Sequence, residues 1–136
     1  MTAKEYLEQV MNIDRRIATK MERACEVRAR AESISATFSQ VKVKGGKKTG
    51  SKLERAVEEL DKWENEILDD IHALVLTKME VERTIEKLVK PQEREVLELH
   101  YLQGLRWEEV CVKMHYSWRY TMKIHARALR NLQQLL

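Results

Sequence analysis

Apolar residues recur over the first forty positions at alternating steps of four and three: Tyr6, Val10, Ile13, Ile17, Lys20, Ala24, Val27, Ala31, Ile34 and Phe38. Such spacing is the buried seam of a coiled-coil helix, with Lys20 as its polar interruption and Met21 beside it as a substitute. Thr2 followed by Glu5 has the spacing of a capping box, so the helix is expected to begin there. A second stripe runs through Leu53, Val57, Leu60, Ile67, Ile71, Leu74, Val81, Ile85 and Leu88, interrupted at Glu64 and Lys78, and Ser51 with Glu54 repeats the capping spacing at its start. Between the stripes, residues 39–50 hold Lys42, Lys44, Gly45, Gly46, Lys47, Lys48 and Gly50, which is turn chemistry with one sign of charge. Two helices of just under forty residues, each roughly 55–60 Å long at 1.5 Å per residue, predict an antiparallel helical hairpin over residues 1–90 with a basic loop at 39–50. Extra apolar width at Trp63 and Leu68 invites a second hairpin, so a homodimer is a candidate assembly.

Pro91 cannot donate within a helix but suits the first turn of a new one, so a domain boundary is expected near residue 90. A third helix carries Val96, Leu97, His100 and Tyr101 and stops at Gly104, a natural left-handed cap. The fourth begins near Trp107, sets Glu108 and Glu109 at the positive end of its dipole, and turns Val110, Cys111 and Met114 inward. Ser117 is expected to cap a fifth helix. With four Gly and one Pro in 136 residues and no strand pattern, the chain is expected to be all-α, residues 91–136 forming a three-helix unit.

The formal charge of +3 is unevenly spread. After Glu109 there are five basic residues, Lys113, Arg119, Lys123, Arg127 and Arg130, and no acidic one, whereas residues 51–89 hold eleven acids against six bases. A polyanion is therefore expected at the C-terminal third and not along the middle. No apolar run reaches the length of a membrane span and no secretory leader opens the sequence, so a cytoplasmic location without membrane contact is expected. Cys25 and Cys111 form no spaced framework, and no disulfide is expected.

Cys111 and His115, four apart, can meet on one helical turn, but a structural zinc site needs four ligands and neither His100 nor His125 has the spacing to complete one. No metal or cofactor is expected. Residues 45–52 miss the phosphate-loop order, because Gly50 is followed by Ser51 and then Lys52, and no strand precedes them. The acidic residues fall at outward heptad positions and His72 has no nucleophile near it in sequence, so the chain is not expected to be an enzyme.

The run from Glu93 through Arg94, Glu95, Val96, Leu97, Glu98, Leu99, His100, Tyr101, Leu102, Gln103 and Gly104 to Leu105 is similar to the helix that opens region 4 of bacterial sigma factors. Trp107-Glu108-Glu109-Val110, Ser117, Ala128-Leu129 and Leu132 continue the likeness over the C-terminal third. Through Lys4-Glu5-Tyr6-Leu7, Trp107-Glu108-Glu109, Tyr116-Ser117 and His125-Ala126-Arg127-Ala128-Leu129, the whole chain resembles a family of short phage and prophage proteins of low-GC Gram-positive bacteria, related to regulators of the ArpU and RinA kind.

The resemblance implies a sigma region 4-like helix-turn-helix that binds double-stranded promoter DNA in the major groove while docking on bacterial RNA polymerase. It puts Ser117 at the cap of the recognition helix, Trp118, Arg119, Tyr120, Met122 and Lys123 toward the groove, and Thr121, Ile124, Ala128 and Leu129 toward the core. Arg127 joins the DNA-binding set, on phosphate or in solvent, and Lys113, Arg130, Lys47 and Lys48 are candidate phosphate contacts. The sequence departs from the sigma pattern at His115, where Gly is usual, at Arg106, where Ser or Thr commonly caps, and at Trp118 and Tyr120, which replace charged readers. Arg119 is then the best placed to read a base. The expectation is a phage-derived transcriptional regulator; the alternative is a helical interaction module that contacts polymerase or a phage protein without reading DNA.

Overall fold

The computed structural model describes residues 1–41 and 47–136, with side chains over 1–37 and 50–136. Its elements are α1 (Ala3–Val41), α2 (Lys47–Glu86), α3 (Pro91–Leu97), α4 (Trp107–Met114) and α5 (Trp118–Gln133), with a π-turn at Glu98–Leu102 continuing α3. The fold is all-helical, with no strand among the described residues, and α1 and α2 pack as a long hairpin. Helix occupies both ends of the segment expected as a loop at 39–50, and Ser51 lies inside α2 instead of capping it. The remainder of that loop, and the side chains of Lys47 and Lys48 offered as phosphate contacts, fall outside the described residues.

The chain divides into two compact units, one made of Arg15–His72 and the other of Met1–Asp14 with Ala73–Leu136. Within Arg15–His72, Ala24, Val27 and Ala56 are buried. The expected seam needs correcting here. Val57 and Ile71 are exposed, and Ala56 and Asp70, one residue earlier, are the buried positions. At Asp70 the partner is Lys20, the polar interruption of the first stripe: its ammonium lies 2.8 Å from the Asp70 carboxylate, which Arg16 also approaches at 3.2 Å. The Lys20 hydrogen bond leads in holding the Asp70 carboxyl below its usual range, against the opposing effect of burial. Met21 does not substitute for Lys20; it is exposed. A charge pair therefore joins the two helices at this level of the seam.

The second unit has the larger core, in which Leu7 and Val10 of α1, Val81 and Ile85 from the end of α2, Leu88 just beyond it, Leu97, Tyr101, Ala128 and Leu132 are buried together. Polar clamps close its edges. Thr2 Oγ1 accepts the Glu5 N–H at 3.2 Å, as the capping spacing predicts, and the Gln133 side-chain carbonyl accepts the Ala3 N–H at 2.7 Å. The Tyr6 and Thr84 hydroxyls share a hydrogen bond of 2.9 Å. Arg94 reaches back to the Leu88 and Val89 carbonyls, which satisfies acceptors left open where the chain leaves α2. Glu93, in the first turn of α3, is fully buried, and the Asn131 side-chain amide donates to both its carboxylate oxygens at 3.0 and 2.9 Å.

Leu132→Ala removes buried apolar volume and is expected to destabilise the chain by about 2–5 kcal/mol. Asn131→Ala leaves a buried carboxylate without its donor and should lower stability by about 2–3 kcal/mol in urea titrations followed by circular dichroism. An Asn131→Ala protein with the wild-type midpoint contradicts the role given to this clamp.

Candidate nucleic-acid interface

Two backbone reversals set the geometry of α4 and α5. The π-turn closes with the Gln103 N–H on the Glu98 carbonyl at 2.9 Å, and Gly104 then takes φ +73°, with the Leu105 N–H on the Leu99 carbonyl at 3.0 Å. An added Cβ at Gly104 would meet nothing within 4 Å, so the backbone conformation alone favours glycine there. At the end of α4, His115 is the left-handed residue, at φ 60° and ψ 37°. Tyr116 N–H bonds the Cys111 carbonyl at 3.1 Å and His115 N–H the Val112 carbonyl at 3.2 Å, which is a Schellman closure without its usual glycine.

Ser117 follows in extended conformation and caps α5, its Oγ accepting the Tyr120 N–H at 3.2 Å. The turn between α4 and α5 is thus three residues long, the span that joins the helices of a helix-turn-helix. At the other end of α4, Arg106 occupies the cap position with no side-chain bond to the backbone; its Nε donates instead to Glu109 at 2.9 Å.

The inner face of α5 is Thr121, Ile124, Ala128 and Leu132, all fully buried, with Leu129 half-buried beside them. Its outer face begins with Trp118, 51% exposed, and continues through Arg119, Lys123 and Ala126 to Arg130, all exposed. Tyr120 is 39% exposed and meets the Tyr116 ring edge-on, with centroids 4.8 Å apart. Gln92 pins that ring from α3 by donating to the Tyr116 hydroxyl at 2.9 Å. Met122 and Arg127 are half-buried, and the Arg127 Nε is enclosed without a hydrogen-bond partner among the described residues. Ser117, Trp118, Arg119, Tyr120 and Lys123 therefore share the first two turns of α5, while Arg130 lies near its far end and Lys113 is exposed on α4.

Behind this face is a cluster absent from the sequence expectations. The Trp107 indole stacks on His100 with centroids 3.9 Å apart and sits 4.4 Å from the His125 ring. The Tyr101 hydroxyl and His125 Nε2 share a hydrogen bond of 2.8 Å. His100 Nδ1 lies 2.7 Å from the Leu105 carbonyl, and a carbonyl only accepts, so the ring proton is on Nδ1. Burial pushes His125 down to about 4 and the Tyr101 phenol up to about 12, and it also lowers His100. The cluster is thus neutral near pH 7 and joins the π-turn, the start of α4 and the third turn of α5. His100 and Tyr101 were legible as residues of the third helix; their meeting with His125 and the widened turn that carries them have no spacing signal in the sequence.

Among the described residues no group of three or more His, Cys, Asp or Glu is arranged to hold a metal ion, and no helix is long and apolar enough to cross a membrane. Cys25 and Cys111 are both free thiols.

The model of the DUF1492 family, described as a protein of unknown function, matches residues 33–133. The chain belongs to the DUF1492 family. No curated protein and no solved structure matches it. The matched DUF1492 span takes in all of α2, both reversals, the aromatic and histidine cluster and α5 to its last residue.

His115→Gly removes the left-handed strain of a side-chain-bearing residue and should stabilise by about 1 kcal/mol. Arg106→Ser, with Glu109 three residues on, completes a capping box and should add a similar amount, about 1 kcal/mol, both read from melting temperature. The pH dependence has a definite sign. An unfolded histidine takes up a proton near pH 6.5, whereas folded His125 resists it until about 4, so stability is fully present above that window and falls as pH drops through it. His125→Gln should flatten the melting temperature between pH 6.5 and 4, and an unchanged slope would take His125 out of the linkage.

Proposed function

We propose that this DUF1492 chain is a DNA-binding transcriptional regulator of phage origin, whose α4–turn–α5 unit enters the major groove of promoter DNA in the manner of sigma region 4 and works with RNA polymerase. One observation carries the reading: directly after a serine-capped turn of three residues, α5 exposes Arg119 and Lys123 on a helix with no acidic residue. A polyanion is attracted to that face, and the fully buried Thr121, Ile124 and Ala128 hold it outward. Arg127 and Arg130 extend the positive charge along α5 toward flanking phosphates, and Lys113 adds to it from α4. Self-association through the exposed hairpin residues Val57, Leu68 and Ile71 belongs to the same reading, since dimeric helix-turn-helix proteins bind paired half-sites.

A second reading is favoured by the outer surface of α4. Leu105 and Val112, the latter 74% exposed, line an open groove of about 530 Å³ with Glu108, Glu109 and Lys113 around it. In this reading the unit grips polymerase or a phage protein through α4 and never contacts bases.

Gel retardation of a mixed-sequence duplex across a salt series separates the two. The wild-type chain should bind at low salt and weaken steeply as salt rises. Arg119→Ala with Lys123→Ala should lower affinity at least tenfold and reduce the salt slope by about 2, with unchanged helix content. Unchanged binding by the double variant refutes the assigned face. Absence of duplex binding at low salt, together with recovery of polymerase subunits on the tagged chain, decides for the second reading.

A further inference from the structure

On the assumption that α5 is the DNA-reading helix, we infer that its sequence preference is for thymine-containing steps, read through their C5-methyl groups by the exposed Trp118 indole and the adjoining Met122, with Arg119 and Lys123 holding the flanking backbone. Reading guanine requires a forked donor and reading adenine requires an Asn or Gln amide, whereas a thymine methyl is read by apolar contact. The exposed positions in the first three turns of α5 are Trp118, Arg119, Tyr120, Lys123 and Ala126, with Met122 half-buried beside them, so only Arg119 has a fork and none is an amide.

The amides of α5 are at its other end and already engaged. Asn131 donates to both oxygens of buried Glu93, and Gln133 accepts the Ala3 N–H. Hydrogen-bond readout of adenine from this helix is therefore closed. The apolar surface, by contrast, is free. Half of Trp118 is exposed at the first position of α5, and it enters no aromatic pair among the described residues, while Tyr120 leans on Tyr116 and is held back by it.

An exposed indole also suits a protein partner, but its neighbours argue for a nucleic acid. Arg119 and Lys123 lie to one side of it on the same two turns, and no acidic residue follows Glu109. An apolar side chain beside two cations on a groove-sized helix matches a thymine methyl beside a phosphate rail.

The test uses the full chain and a randomised duplex pool, from which bound sequences are selected at about physiological salt. Enriched sites are expected to contain T·A pairs at fixed positions. Replacing thymine by deoxyuridine in an enriched duplex removes the methyl alone, and should weaken wild-type binding about fourfold for each contacted methyl. Trp118→Ala should bind the thymine and uracil duplexes equally, at an affinity close to that of wild type for the uracil duplex. The uracil comparison on the wild-type chain needs no variant, so it stands even if Trp118→Ala perturbs α5. Enriched sites without thymine, or equal wild-type binding of both duplexes, overturn the methyl readout while leaving DNA binding intact. Failure of every duplex to bind at low salt overturns the readout together with the function on which it rests.

Discussion

Burial of the inner face of α5 is the constraint on which the candidate site depends. Ala128 and Leu132 sink into the core formed by Leu7, Val10, Val81, Ile85, Leu97 and Tyr101, and the Asn131–Glu93 and Gln133–Ala3 bonds lock the last turns of α5 in place. A helix held by its far half presents its near half at a fixed angle. Thr121 and Ile124, also fully buried, carry the anchorage to within one turn of the Ser117 cap, so the exposure of Trp118, Arg119 and Lys123 follows from the packing of the opposite face. Free side chains on a firmly held helix are the arrangement that recognition needs, because their backbone need not be ordered again on binding.

The aromatic and histidine cluster works at the other contact of α5. The π-turn accommodates an extra residue between α3 and Gly104, and its Tyr101 meets His125, against which Trp107 packs. π-turns of this kind persist where a displaced side chain serves packing or function. Here the displaced side chains form an interlocked wedge that holds α5 against the preceding helices, neutral at physiological pH because burial suppresses protonation of both histidines.

Much of this architecture was legible in local sequence. The alternating four-and-three spacing predicted both long helices, Thr2 announced the cap of α1 and Ser117 that of α5, Gly104 announced a left-handed stop, and the resemblance to sigma region 4 placed the reversal at His115 and Thr121, Ile124 and Ala128 in the core. What escaped depends on partners far away in the chain. Counting apolarity along α2 favoured Val57 and Ile71, whereas the observed seam uses Ala56 and Asp70, the latter paired with Lys20 and Arg16 from α1. Glu93 could not be recognised as buried without knowing that Asn131, 38 residues later, would supply its donor. The ends of the hairpin likewise join the C-terminal helices in one unit, a grouping set by side chains that meet only in the folded chain.

The hydrogen bond from Ala3 to Gln133 spans 130 positions. During synthesis, Leu7 and Val10 emerge long before Leu132, with which they share a core. The core of this unit therefore closes only once α5 has emerged, and the apolar face of α1 stays incompletely covered until then, as in topologies dominated by distant contacts.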